Sequence, residues 1–144
     1  MKKTSGVKDL SPWNVCSGKD AESIRDLLSR VGDKWSIFLI VSLSKIPGQR
    51  ARFSEIERGI PGISQRMLTT TLKSLVRDGF ISREVFPEVP PRVEYELTDL
   101  GRSILMPMQS LVNWIGVHWP EVKKSRSKAD AEEANKTVRR RRSF

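Results

Sequence analysis

One cysteine, one histidine and one tyrosine among 144 residues leave little material for chemistry. A lone cysteine closes no disulfide within the chain, which fits a reducing compartment and points to the cytoplasm. The usual nucleophile, base and orienter of covalent catalysis cannot be assembled from so few groups. Neither a glycine-rich phosphate loop nor a metal-ligand spacing occurs, so the chain reads as a non-enzyme without cofactor or metal. Apolar runs fall short of the roughly 20 residues that span a bilayer, which argues against a membrane partner. The N-terminal stretch MKKTSGVKDLSPWNV is basic but lacks the apolar segment of a secretory signal.

What is abundant is positive charge, with a net value of +9, but its distribution matters more than its size. Residues 1–19 carry four Lys against one Asp, and residues 123–144 carry nine Lys and Arg against three acids. The stretch between them balances thirteen basic with thirteen acidic residues. The tails therefore supply the excess, and they would add non-specific attraction to a polyanion. Hydrophobic residues make up 38%, enough for one domain with a modest core.

The local pattern is more telling. Ile24, Leu27, Leu28 and Val31 form a helical stripe over about residues 21–31, and WSIFLIVSL at 35–43 is apolar nearly all round, as in a central buried helix. Residues 44–51, with Pro47-Gly48, read as a loop. Ser54 and Glu57 have the spacing of a capping box, so a short helix is expected to begin near Ser54, with Phe53 and Ile56 facing inward. Gly59 and Pro61-Gly62 then turn the chain.

A second helix follows with a sharp start. Ser64 suits an N-cap, Ile63 and Leu68 stand where a hydrophobic staple closes, and Leu68, Leu72, Leu75 and Val76 define a buried face. Gly79 suits the left-handed residue that ends it. Its other face holds Gln65, Arg66, Thr69, Thr70, Lys73, Ser74 and Arg77, with three bases and no acid between 64 and 77. Such a face fits the major groove of double-stranded DNA: Arg66 for a guanine, Gln65 for an adenine and the Thr69 methyl for a thymine. Lys73 and Arg77 suit phosphates. A merely solvated polar face is the alternative, and the surrounding motif weighs against it.

Residues 80–86 read as a strand, and Val93, Tyr95 and Leu97 alternate with Glu94 and Glu96, so that one face is buried and the other wet. The proline-rich tip between them suits an exposed wing, whose Arg92 is assigned a phosphate or minor-groove contact. From Thr98 one long helix should run to about Trp119, kinked at Pro107. Its stripe of Ile104, Leu105, Met108, Leu111, Val112, Ile115 and Trp119 is a candidate subunit contact, alongside the first helix. The expected fold is mainly α with a small β-hairpin: a winged helix-turn-helix dimerising through its N- and C-terminal helices. Its divisions are a flexible arm (1–19), the winged domain (20–119) and a basic, partly disordered tail (120–144) in which DAEEANK could continue the helix for a short way; its Arg139–Arg142 cluster could grip phosphates or acidic partners, or be a solvated end without a specific role.

Five blocks then carry a family resemblance. Gly32-Asp33-Lys34-Trp35, Arg52-Phe53-Ser54-Glu55-Ile56, Ile60-Pro61-Gly62-Ile63-Ser64, Pro90-Pro91-Arg92-Val93-Glu94-Tyr95 and Leu97-Thr98-Asp99-Leu100-Gly101, with the later Trp114, closely resemble the HxlR-type regulators over about residues 20–119. The resemblance implies a bacterial or archaeal dimeric winged-helix transcription factor, related in architecture to the multiple-antibiotic-resistance regulators. Such proteins repress or activate nearby operons, often in response to electrophiles, aldehydes, oxidants or other small molecules. Many relatives carry a cysteine about a dozen residues before the Lys-Trp pair, and some use it as a thiol sensor. Here Cys16 lies eighteen residues before Lys34, and the family position falls near Glu22. Cys16 is thus a redox candidate against a simpler bystander reading. His118 reads as a cation near a helix end. Trp35 and Trp114 could line an effector pocket between subunits or serve as packing anchors. A sequence-specific DNA-binding homodimer on a palindromic operator is the reading reached, with a protein-interaction adaptor or a sequence-neutral DNA-compacting protein as alternatives.

Overall fold

Residues 20–143 are described by a computed structural model; Cys16 and the N-terminal arm lie outside them. Two helices open the chain, α1 (Ala21–Val31) and α2 (Lys34–Ser44). The junction explains the Gly-Asp-Lys-Trp block. Asp33 caps α2, its carboxylate accepting from the amides of Trp35 (2.9 Å) and Ser36 (3.2 Å). The buried Ser36 hydroxyl sits 2.6 Å from the same carboxylate, so no polar group is stranded there. Leu39, Ile40 and Leu43 of α2 are fully enclosed, while Phe38 stays 47% exposed, so the helix is central without being covered on every side.

The segment expected to be a loop contains a strand. Pro47–Gln49 make a 3-10 turn and β1 (Arg50–Arg52) follows, pairing antiparallel with the later strand at Glu94, Tyr95 and Glu96. Helix α3 (Phe53–Gly59) begins one residue before Ser54, with Arg52 at the cap position. The acid that reaches back is Glu55, whose carboxylate accepts from the Arg52 amide at 3.2 Å, so the expected Ser54–Glu57 box is displaced by two residues. The strand fixes where the chain can leave the sheet, and that sets the helix start.

Helix α4 (Gln65–Arg77) leads into β2 (Ile81–Phe86) and β3 (Arg92–Leu97), which complete a sheet ordered β1-β3-β2. Gly79, at φ +83°, provides the left-handed turn between α4 and β2. Below the sheet the core gathers Leu39, Ile40, Leu43, Leu68, Leu72, Leu75 and Ile81. Leu97 closes the inner end of β3, but the expected clean alternation fails at Glu94, whose side chain is only 17% exposed. Arginines cover that face.

The expected single helix after Thr98 is two helices, α5 (Asp99–Ser103) and α6 (Leu105–Arg142). The break falls at Ile104, next to the Ser103 carbonyl four residues before Pro107, which the proline ring crowds and to which it has no amide to give. Thr98 caps α5, accepting from the Gly101 amide at 3.1 Å. A Cβ on Gly101 would stand 2.0 Å from the Phe80 carbonyl oxygen, so only glycine permits this approach. Where a partly disordered tail is expected, α6 continues to Arg142. Beyond Pro120 it has neither Gly nor Pro, and Ala, Lys, Arg and Glu are strong helix formers. Glu132 and Lys136, acid before base, also have the favourable four-residue spacing. His118 therefore lies mid-helix rather than near an end, its Nδ1 2.9 Å from the Trp114 carbonyl oxygen and its ring stacked on that indole. The described residues divide into two compact units, with the boundary between Leu105 and Met106. No helix among the described residues is long and apolar enough to cross a membrane.

Candidate nucleic-acid interface

The α4 start is built as its sequence requires. Ser64 Oγ accepts from the Met67 amide at 3.0 Å, and of the flanking pair Leu68 is buried and Ile63 half-buried. Leu68, Thr71, Leu72 and Leu75 are buried beneath the helix, and this anchoring fixes its rotation about its axis. Gln65, Arg66, Thr69, Thr70, Lys73 and Arg77 all remain exposed on the opposite side. The Thr69 and Thr70 hydroxyls donate to the Gln65 (2.8 Å) and Arg66 (2.9 Å) carbonyls. Among the described residues no carboxylate pairs with Arg66, Lys73 or Arg77. The face thus presents undischarged cations beside hydrogen-bonding side chains, which suits a polyanion.

The wing differs from expectation in which cation it leaves free. Arg92 lies 3.3 Å from Glu88 and 3.6 Å from Glu94, and its guanidinium covers the Phe86 ring at 4.0 Å from the centroid. It is committed to the hairpin rather than offered outward. Arg50 does similar duty: it pairs with Glu84, reaches Glu94 at 2.8 Å and stands 4.0 Å from Glu96. Glu84 and Glu94 face each other directly across β2 and β3, an unfavourable juxtaposition that Arg50 neutralises.

Arg83 is the residue the sequence argument overlooked. It lies on β2 opposite Tyr95 of β3, is exposed, and has no carboxylate partner among the described residues. With Lys73 and Arg77 it rims a groove of about 530 Å³ between α4 and the hairpin, whose floor includes Phe53, Val76 and Tyr95. The alternation of the hairpin could have revealed it, since Arg83 shares register parity with the inward Ile81.

Trp35, half-buried, meets Phe38 edge-on at 6.2 Å, and Lys34 lies over its ring at 4.6 Å, so it packs within the first unit. Trp114 is 54% exposed. Among the described residues no cluster of three or more His, Cys, Asp or Glu is placed to hold a metal ion.

A positioning helix, a turn, an uncovered cationic helix and a β-hairpin define the winged helix-turn-helix class of DNA-binding proteins. Comparison with known proteins narrows this. Residues 30–123 match the HxlR-like helix-turn-helix family, and the chain belongs to that family of transcriptional regulators. It is similar to an uncharacterized HTH-type transcriptional regulator of Methanothermobacter thermautotrophicus, 46% identical over 92 residues that cover 64% of this chain and 68% of that one. YtfH of Escherichia coli, also an HTH-type transcriptional regulator, is 39% identical over 98 residues, 68% of this chain and 75% of its own. Among solved structures, the reduced form of the redox regulator HypR superposes with a TM-score of 0.62 at 35% identity, covering 71% of this chain and 98% of that one. The reduced transcriptional regulator YodB from B. subtilis gives 0.55 at 33% identity, covering 65% and 88% respectively.

Proposed function

We propose that this regulator binds a palindromic operator as a homodimer, reading sequence with α4. The acid-free, uncovered face of that helix is the observation that carries the reading. Gln65 and Arg66, in the first turn, would meet base edges, and Thr69 would offer its methyl group because its hydroxyl is held by its own helix. Thr70 and Lys73 would sit beside the backbone, and Ser64 would hold the helix start in register. For the wing, the free Arg83 takes the phosphate contact together with Lys73 and Arg77, and Arg92 stiffens the hairpin that presents it.

Ile24, Leu27 and Leu28 on α1, and Leu111, Trp114, Ile115 and Trp119 on α6, are each more than a third exposed. Apolar surface of that extent supports a subunit contact, and a two-fold axis would set two α4 helices in successive major grooves. Such a protein works in the cytoplasm, where the chromosome of a cell without a nucleus lies. Likeness to the redox regulator HypR supports a sensory input, for which Cys16 is the one thiol available.

Gel shifts on the DNA upstream of its own gene, run at several salt concentrations, test the proposal. Retention in the presence of excess non-specific competitor is expected, with sedimentation at twice the chain mass. Absence of any shift at low salt would instead mark an interaction adaptor.

A further inference from the structure

The family match ends at residue 123, but α6 runs on to Arg142. Every side chain from Lys123 to Arg142 is exposed, and among the described residues none of them enters an ion pair. Their charges fall in blocks. Residues 123–128 carry four cations, Asp130, Glu132 and Glu133 follow, and residues 136–142 carry five more. Lys128 and Lys136, the inner edges of the two basic blocks, stand about 12 Å apart along the helix axis. Val138 is the one large apolar residue in the stretch, so no apolar face could sink into a lipid surface. A flat layer of anionic headgroups would also meet the central acids and repel them. A polyanion with two separated lines of charge fits the pattern instead. The major groove of B-DNA is roughly 12 Å wide, with a phosphate backbone along either wall.

We propose that the outer part of α6 is a second DNA-binding element, laid across a major groove without regard to sequence. Its two basic blocks engage the phosphates of opposite walls, and the acids lie over the floor, away from both. There the amino groups of cytosine and adenine offer donors rather than negative charge. Gripping both walls gives this part of the helix the partner it otherwise lacks. The free segment is held by propensity and charge spacing, so duplex binding suppresses its fraying. Duplex RNA, whose major groove is deep and narrow, does not admit the helix in this way. The element acts on any DNA duplex and does not depend on α4 reading an operator.

Amide hydrogen exchange and fluorescence anisotropy test the element in the full chain, with α4 silenced by Arg66→Ala, Lys73→Ala and Arg77→Ala. A DNA duplex without operator sequence should slow exchange across residues 123–142 at least about tenfold. A first further variant trades charge at constant composition: Glu132→Arg and Glu133→Arg with Arg140→Glu and Arg141→Glu. Attraction by net charge alone leaves its affinity unchanged, whereas spanning the groove lowers it about tenfold. A second, with Arg139, Arg140, Arg141 and Arg142 each changed to Gln, keeps good helix formers and should flatten the salt dependence by about two units. Ellipticity at 222 nm in the cold checks that each variant keeps its helix; if the charge-traded chain does not, exchange and the Gln variant decide. Unchanged exchange at saturating duplex, parent-like affinity in a helical charge-traded chain, or an unaltered salt slope in the Gln variant would each overturn the proposal. So would equal or tighter binding of duplex RNA or of phosphatidylserine vesicles. A parent that fails to discriminate any operator while this protection persists would defeat the α4 reading and leave the second element standing.

Discussion

Arg66 and Lys73 stand two turns apart on one exposed face, and on the proposed function that separation would give them different duties. A side chain in the first turn of a groove-bound helix meets base edges, so Arg66→Ala should cost about 1–3 kcal/mol at the cognate site and little elsewhere. Lys73→Ala should weaken every sequence alike and flatten the dependence of log K on log salt by about one unit. Binding isotherms on operator and scrambled fragments, at three salt concentrations, separate the two. At Gly101 the constraint is steric. Any Cβ there meets the Phe80 carbonyl, which belongs to the strand entry and cannot swing aside as a side chain would. Gly101→Ala should lower stability by about 1–3 kcal/mol in urea unfolding, by the usual cost of overpacking. The roles of Ser64 and Gly79 were legible because caps and left-handed turns depend on a few adjacent residues. That Arg92 is paired while Arg83 has no carboxylate partner among the described residues was not. Whether a cation is free or paired depends on partners across the sheet, and a single strand read alone names none of them.

At the level of elements, the sheet owes much to β1. Three residues are too few for an alternating pattern, so Arg50-Ala51-Arg52 left no periodic trace, yet Arg50 mediates between three carboxylates. Its side chain is 34% exposed, so screening limits what the cluster contributes. Arg50→Gln should cost about 1 kcal/mol in urea unfolding, and the difference from the parent should shrink as salt rises to molar levels. The α4 helix and the hairpin were read correctly from local signals: a buried stripe at helical spacing, then β-branched and aromatic runs either side of prolines. The start of α3 was misplaced because the pairing of β1 with β3, a contact 44 residues away in sequence, decides it.

For the molecule as a whole, the charge distribution pairs a neutral centre with basic ends. On the proposed function, specific reading would reside in the winged unit, within the charge-balanced stretch 20–122, while the terminal segments would supply attraction that does not depend on sequence. A chain ending at Lys123 should keep its preference for operator over scrambled DNA and lose affinity for both by a similar factor, as competition binding would reveal. Loss of discrimination on truncation would instead favour the sequence-neutral alternative. The outer part of α6 carries a further consequence. From Lys123 to Arg142 every side chain is exposed, so its backbone order draws on propensity and neighbouring charges with no cooperative partner. Ellipticity at 222 nm should therefore decline gradually as this segment frays on warming, well before the steep collapse of the winged unit, and the early slope should vanish in the shortened chain.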